Sequence, residues 1–295
     1  MASDGSERVA VPCSVCGGSQ TRPFAVARYT RLVENFQVVR CAGCGFVYVS
    51  PRLARGEVED DYVSRPPVAE AEARRQVTAQ ARRHRFALSE IELRAEPGAA
   101  GETRLRILEV GAGWGGFLDE ARKRGHAVQG VDISRARVDF CRNALGIDVR
   151  LGDAFLPALG EGAFDVVFCA HTLEHLFDPR SALERIRALL RPGGLSCVVV
   201  PNLRFMGGRR RRGRMIDDPR HLSHFSVATL ARILAATGFE VGEVSAGFAL
   251  FGAWARLLRD EAVLHRASAA TARWTRPFGR GGEVTAWARR PGSDA

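Results

Sequence analysis

The feature that most constrains this chain is an apolar strand running straight into a glycine-rich turn, LEVGAGWGGF at residues 108–117. Leu105–Val110 reads as a buried strand and Phe117–Arg124 as a helix stopped at Gly125. The same alternation continues. Ala127–Val131, Asp148–Leu151, Phe164–Cys169 and Leu195–Val200 are strand-like, and Arg135–Leu145 and Ser181–Leu190 are helical, halted at Gly146 and at Pro192-Gly193-Gly194. Strands and helices in this rhythm predict a doubly wound α/β fold with a mostly parallel sheet covered on both faces. Phe239–Val244 and Glu283–Ala288 read as a final antiparallel pair, giving seven strands, with a Ser226-capped helix over Val227–Thr237 between the fifth and sixth. No repeat is apparent.

Taken literally, Gly111-x-Gly113-x-x-Gly116 matches the dinucleotide fingerprint, and Asp132 ends the second strand where a ribose would be held. Glu109 argues for a different nucleoside cofactor. An acid two residues before the first glycine opposes a pyrophosphate but suits a cationic amino-acid moiety. Asp153, in the turn LGDA after the third strand, could accept from an adenine amino group.

Ahead of this core stand Cys13-x-x-Cys16 and Cys41-x-x-Cys44, each running into glycine. Two short-spaced pairs read as metal ligands rather than disulfides. Four thiolates presented by hairpins make the tetrahedral site of a zinc ribbon, closed to substrate and therefore structural. A redox dithiol is the alternative, but neither pair opens a helix. The expected organisation is a zinc-ribbon-like module at 1–60, a helical connection or lid at 61–100 with a long helix from Val68 to Glu96, and the α/β domain at 101–295.

Together, LEVGAGWGGF, VQGVDIS, GDA, FDVVFCAHTLEHL, RPGG and HLSHFS resemble the class I S-adenosylmethionine-dependent methyltransferases across about residues 103–245. A Cys-x-x-Cys N-terminus ahead of such a core resembles a subgroup from sugar and secondary-metabolite pathways. The resemblance implies that Glu109, Gly111 and Gly113 lie beside the methionine part of S-adenosylmethionine, that Asp132 holds the ribose, and that Asp153 and Ala154 flank the adenine. Trp114 stands where that family more often has a small or polar residue. The implied acceptor is a small polar molecule: a sugar, a nucleotide-linked sugar or a natural-product scaffold.

Methyl transfer asks the protein to align a nucleophile with the sulfonium carbon and, for many acceptors, to remove a proton. Histidine suits that task near neutral pH. One cluster is His171-Thr-Leu-Glu174-His175 at the end of the fourth strand. As a string it is the inverted zinc-protease motif, but Asp178-Pro179 leaves hardly one helical turn, so the match is accidental. His175 serves there either as base or in loop-fixing hydrogen bonds. The second cluster is DDPRHLSHFS, in which His221 and His224 are acceptor-site candidates.

Lys and Arg total 43 against 33 Asp and Glu, a formal charge of +10, and Lys123 is the only lysine. Five of the arginines fall in the glycine-flanked run GGRRRRGR, which reads as a solvated loop or a clamp for an anionic acceptor. An RNA methyltransferase is the first rival reading, although no base-stacking aromatics are interleaved. A non-catalytic interaction protein and a nicotinamide dehydrogenase are the others. The N-terminal MASDGSERVAVP has charges and a proline where a signal peptide needs an apolar run. A cytoplasmic protein is therefore expected, and the apolar stretch at 247–266 is read as a pocket roof or subunit contact.

Overall fold

The computed structural model describes residues 8–25, 37–54, 56, 68–96, 104–204, 220–247 and 282–292. The arginine run at 207–214 and most of the apolar stretch at 247–266 lie outside them. The N-terminal part contains β1 (Arg8–Val9), β2 (Thr21–Ala25), β3 (Val38–Cys41), β4 (Val47–Val49) and β5 (Arg52–Leu53), followed by the long helix α1 (Glu70–Arg94). The core then runs β6 (Arg106–Val110), α2 (Gly116–Lys123), β7 (Ala127–Asp132), α3 (Arg135–Leu145), β8 (Val149–Leu151), β9 (Phe164–Ala170), α4 (Pro179–Leu189) and β10 (Leu190–Pro201). After β11 (Ser223–His224) come α5 (Val227–Ala236), β12 (Glu240–Gly247) and β13 (Glu283–Arg289).

The main sheet has seven strands in the order β12-β13-β10-β9-β6-β7-β8. Pairings among β10, β9, β6, β7 and β8 are parallel, whereas β13 runs antiparallel to both β10 and β12. This is the doubly wound sheet expected from the sequence. Between β6 and β9 the strand order reverses, and such a switch point opens a crevice beyond the carboxyl ends of the strands.

Period-two alternation divides the core between the two faces of the sheet. Ile107, Val166, Phe168, Cys197, Val199 and Trp287 pack with Leu88 and Ile91 of α1, Phe117 of α2 and Val138 of α3. Leu108, Val110, Val167, Cys169, Val198 and Val200 pack on the other face with Leu183 and Ile186 of α4 and Leu230 and Ile233 of α5. Burial of each such side chain contributes roughly 1.5–3 kcal/mol. Local signals set the ends of the helices. Gly146 adopts φ 66° to close α3, and Ser226 and Thr229 form a reciprocal capping box at α5. β10 begins earlier than the apolar run suggested, at Leu190, because a register shift between Leu190 and Leu195 accommodates the Pro-Gly-Gly turn within the strand.

The cysteine-bearing part is joined to this core through both a shared sheet and a shared apolar cluster. β2, β3 and β4 form a sheet whose fourth strand is β11, from the segment after β10. Ser223 pairs with Tyr48 and His224 with Val47, and the Val49 N–H donates to the Leu222 carbonyl at 2.9 Å. Phe46, fully buried, packs against Phe225 at 5.1 Å and Tyr48 at 5.6 Å between ring centroids. Three arginines add further ties: Arg180 donates to the Ser14 and Val15 carbonyls, Arg232 to the Cys44 carbonyl and Arg52 to the Phe177 carbonyl. Phe46→Ala should therefore destabilise the whole chain by about 3–5 kcal/mol in urea unfolding. A loss below about 1 kcal/mol would show that this junction lies outside the cooperative core.

Candidate active site

The turn after β6 takes three residues through the left-handed region, Gly111 at φ 79°, Gly113 at 56° and Gly115 at 72°. At Gly111 the need for glycine is twofold, since a Cβ would also lie 2.1 Å from the Thr172 hydroxyl. The turn therefore closes against residue 172 and delivers the start of α2 beneath α1. Gly116 lies under the His84 ring of α1, at a distance where a Cβ would reach 2.8 Å.

Between the glycine turn, α1 and the carboxyl edge of the sheet is a cavity of about 390 Å³. Glu109, Gly111 and Gly113 line it, as do Arg83 and His84 from α1, His171 beyond β9, and Glu283 from β13. Glu109 is buried, and its Oε2 has no hydrogen-bond partner. Burial, with Asp132 nearby, holds its pKa well above the ordinary carboxylate range. A lone carboxylate on a cavity wall, with an oxygen unpaired, is suited to receive a cation.

Asp132, at the end of β7, accepts the Gly113 N–H at 2.8 Å and the Ser134 N–H at 2.9 Å. Those two bonds fix its carboxylate beside the glycine turn. Asp153 accepts the Phe155 N–H at 2.9 Å just beyond β8, and Ala154 next to it is buried. Glu109, Asp132 and Asp153 thus stand at or just beyond the carboxyl ends of three adjacent strands. Asp132, Asp153 and Ala154 do not line the cavity itself.

The histidines are sorted by Glu174. His171, at φ 52°, turns into the cavity, and its Nε2 lies 3.1 Å from Glu283 Oε1. Arg83 donates to the same Glu283 oxygen at 3.0 Å and approaches His171 Nε2 at 2.6 Å. Burial opposes charge on His171, but Glu174 near Nδ1 and Glu283 at Nε2 outweigh it and hold its pKa at about 9. His175, His221 and His224 form a separate group, with His175 Nε2 3.8 Å from Glu174 Oε1. The His175 and His221 rings are 4.7 Å apart, and those of His221 and His224 are 6.4 Å apart. None of these three lines the cavity. The sequence names His175, His221 and His224 as candidates and not His171, which position alone marks, as the first residue after β9.

At the other end of the chain, Cys13, Cys16, Cys41 and Cys44 bring their sulfurs within 4.8 Å of one another. Both turns have the same construction. Cys13 N–H donates to the Gly18 carbonyl and Gly17 N–H to the Cys13 carbonyl, as Cys41 N–H does to Phe46 and Gly45 N–H to Cys41. Burial alone would raise the Cys41 thiol, but the Cys44 and Gly43 N–H groups and the Cys16 sulfur bring it down to about 7. Tetrahedral coordination at about 2.3 Å requires sulfurs roughly 3.8 Å apart. The Cys13–Cys44 and Cys16–Cys41 separations are 3.4 and 3.5 Å.

A family model described as a methyltransferase domain matches residues 73–244. That match spans more than half of the chain, which belongs to this family. Among curated relatives, the ubiquinone biosynthesis O-methyltransferase of Coxiella burnetii is 36% identical over 94 residues, covering 30% of this chain and 40% of the relative. That of Histophilus somni is 39% identical over 108 residues, covering 33% and 45%. The chain therefore spans less than half the length of these relatives. A Thermotoga maritima S-adenosylmethionine-dependent methyltransferase superposes with a TM-score of 0.51 at 20% identity, over 75% of this chain and 95% of that one. A complex of the Haloferax volcanii Trm112 activator with a methyltransferase gives 0.53 at 19%, over 77% and 100%. Both share the fold. Among the described residues no helix is long and apolar enough to cross a membrane.

Three histidines make the pH dependence of stability two-sided. Burial and Arg83 lower His84 to about 4. Burial and His221 lower His224 to about 3. From about pH 6.5 downward the unfolded chain binds protons that these sites refuse, so stability falls with acidification. His171 has the opposite sign, its contribution being complete below 6.5 and lost as the pH rises through about 9. The unfolding temperature should peak near neutrality, with His84→Gln flattening the acid limb and Glu283→Gln the alkaline one. An unchanged profile in both variants would refute these assignments.

Proposed function

We propose that this protein transfers a methyl group from S-adenosylmethionine to a small polar acceptor, a sugar, a nucleotide-linked sugar or a natural-product scaffold. The observation that carries this reading is Glu109, a buried carboxylate with an unpartnered oxygen facing a cavity beside the glycine turn. S-adenosylmethionine brings a sulfonium and an ammonium, the charges that such a group receives. Asp132, fixed by two backbone donors, retains lone pairs for the ribose hydroxyls, and Asp153 with Ala154 bounds the adenine end. Gly111 and Gly113 keep the turn free of side chains where the methionine part lies.

The cofactor supplies an electrophilic methyl group when bound, and the chain's own residues supply alignment and proton removal. His84 and His171 both line the cavity, and His171 is the assigned base, since burial and Arg83 lower His84 to about 4 and leave it a weak proton acceptor. Glu283 at Nε2 and Glu174 near Nδ1 keep the ring protonated near neutral pH, so an acceptor bound beside Nε2 must displace Glu283 and the ring must lose its proton before that nitrogen can act as a base. His175, His221 and His224, the earlier candidates, would act on the acceptor from outside the cavity. The anionic-acceptor reading still rests on the arginine run, outside the described residues.

Binding a cation at Glu109 requires the carboxylate to lose its proton. Affinity for S-adenosylmethionine, measured by calorimetry, should therefore rise with pH. Glu109→Gln should remove that dependence and weaken binding roughly 10- to 100-fold, the loss of a charge-assisted contact. Equal affinities in the variant and the native chain would sink the reading.

We infer in addition that the four cysteines hold a structural zinc ion. The support is chemical: two matching turns, four converging sulfurs and a thiol brought close to neutrality. Stripping the metal with a strong chelator should deprotect the amides of 38–49 and 222–224 in hydrogen exchange, while those of β6, β7 and β9 stay protected. Retained protection at 38–49 after metal removal would contradict this role.

A further inference from the structure

Glu174 follows β9 in the short turn Leu173–His175 and is 2% exposed. Neither of its carboxylate oxygens has a hydrogen-bond partner among the described residues. The nearest nitrogens are His171 Nδ1 at 3.6 Å and His175 Nε2 at 3.8 Å, both too long for hydrogen bonds. His175 Nδ1 lies 2.9 Å from the Arg220 carbonyl, an oxygen that only accepts, so Nδ1 carries the proton. The Nε2 edge of the ring then faces Glu174 Oε1, a buried carboxylate oxygen without a hydrogen bond. A buried carboxylate left so is a place for a cation. His221 contributes a third ligand atom, and the three lie within 4.8 Å of one another.

We propose that Glu174, His175 and His221 form a second metal site, two imidazoles and one carboxylate, for a divalent first-row transition metal. Ligand bonds of about 2.0–2.2 Å place neighbouring ligand atoms roughly 3.4 Å apart, so the observed separations close on an ion with small side-chain rotations. The Arg220 carbonyl supplies the outer bond that fixes the tautomer and aim of a metal-binding histidine. Two histidines and a carboxylate favour zinc, iron or cobalt over calcium or magnesium. Unlike the four-cysteine site, a set of three protein ligands leaves coordination positions open to an oxygen or nitrogen of another molecule. The zinc-protease string in this segment is not the basis of the site. His171 turns into the cavity, and His221, from a distant segment, takes the third place.

The test is cobalt stoichiometry on the full chain. After equilibration with Co²⁺ and gel filtration, the native chain should carry two ions. One gives the intense thiolate-to-cobalt charge-transfer bands of the cysteine site, and the other gives only weak visible bands. Glu174→Gln and His221→Ala should each retain one ion, with the charge-transfer bands unchanged. Those bands also report whether a variant is folded, and the partly exposed His221 provides an independent route should Glu174→Gln fail to fold. One cobalt in the native chain with full thiolate bands, or two in His221→Ala, would overturn the proposal. The result is independent of methyl transfer, since cofactor affinity is read separately by calorimetry.

Discussion

Two carboxylates buried at the carboxyl edge of the sheet govern what surrounds them. An ionised carboxylate removed from water costs several kcal/mol unless charge or hydrogen bonds replace the lost solvent. Glu109 and Glu174 meet that cost in opposite ways. Glu109, beside Asp132, has its pKa raised and is easily kept neutral. Burial also works against charge on Glu174, but His171 and His175 flank it and lower its pKa, so it stays ionised. Glu109 turns an unpaired oxygen to the cavity wall, and Glu174 stands as an anion near two imidazoles.

The cysteine-bearing part contributes to this arrangement through position. β4 pairs with β11, so the register Val47–His224 and Tyr48–Ser223 fixes where the chain passes at residues 220–225. The Arg220 carbonyl and the His221 ring stand next to that pairing, and both reach His175. With the zinc ion proposed above, the four cysteines would hold this short sheet rigid enough to present the segment that approaches Glu174. The Phe46–Phe225 contact shows the two parts sharing one apolar cluster.

Much of this was legible in the sequence because it rests on local rules. Strand–helix alternation, the glycine stops and the Ser226 cap each depend on a few neighbouring residues, and they gave the seven strands and the boundaries of α1, α2, α3 and α5 closely. The spacing of Cys13, Cys16, Cys41 and Cys44 likewise implied their convergence. Long-range pairing was not legible. Two residues, Ser223 and His224, are too short a run to show a strand, and nothing in their identity names β4 as partner. The division of the histidines was hidden for the same reason. His171 and His175 are four residues apart, yet a single left-handed residue at 171 sends one into the cavity and leaves the other outside it.

That left-handed residue links the two sides. Thr172, the next residue, lies against Gly111, so the path of 171–175 and the path of the glycine turn cannot change independently. A ligand that moved the turn would press on Thr172, and through it on the positions of His171 and Glu174. The coupling is steric and short-ranged, and it requires glycine at 111, where φ 79° and the threonine hydroxyl leave no room for a side chain. The same glycine that shapes one wall of the cavity therefore also sets where His171 and Glu174 stand.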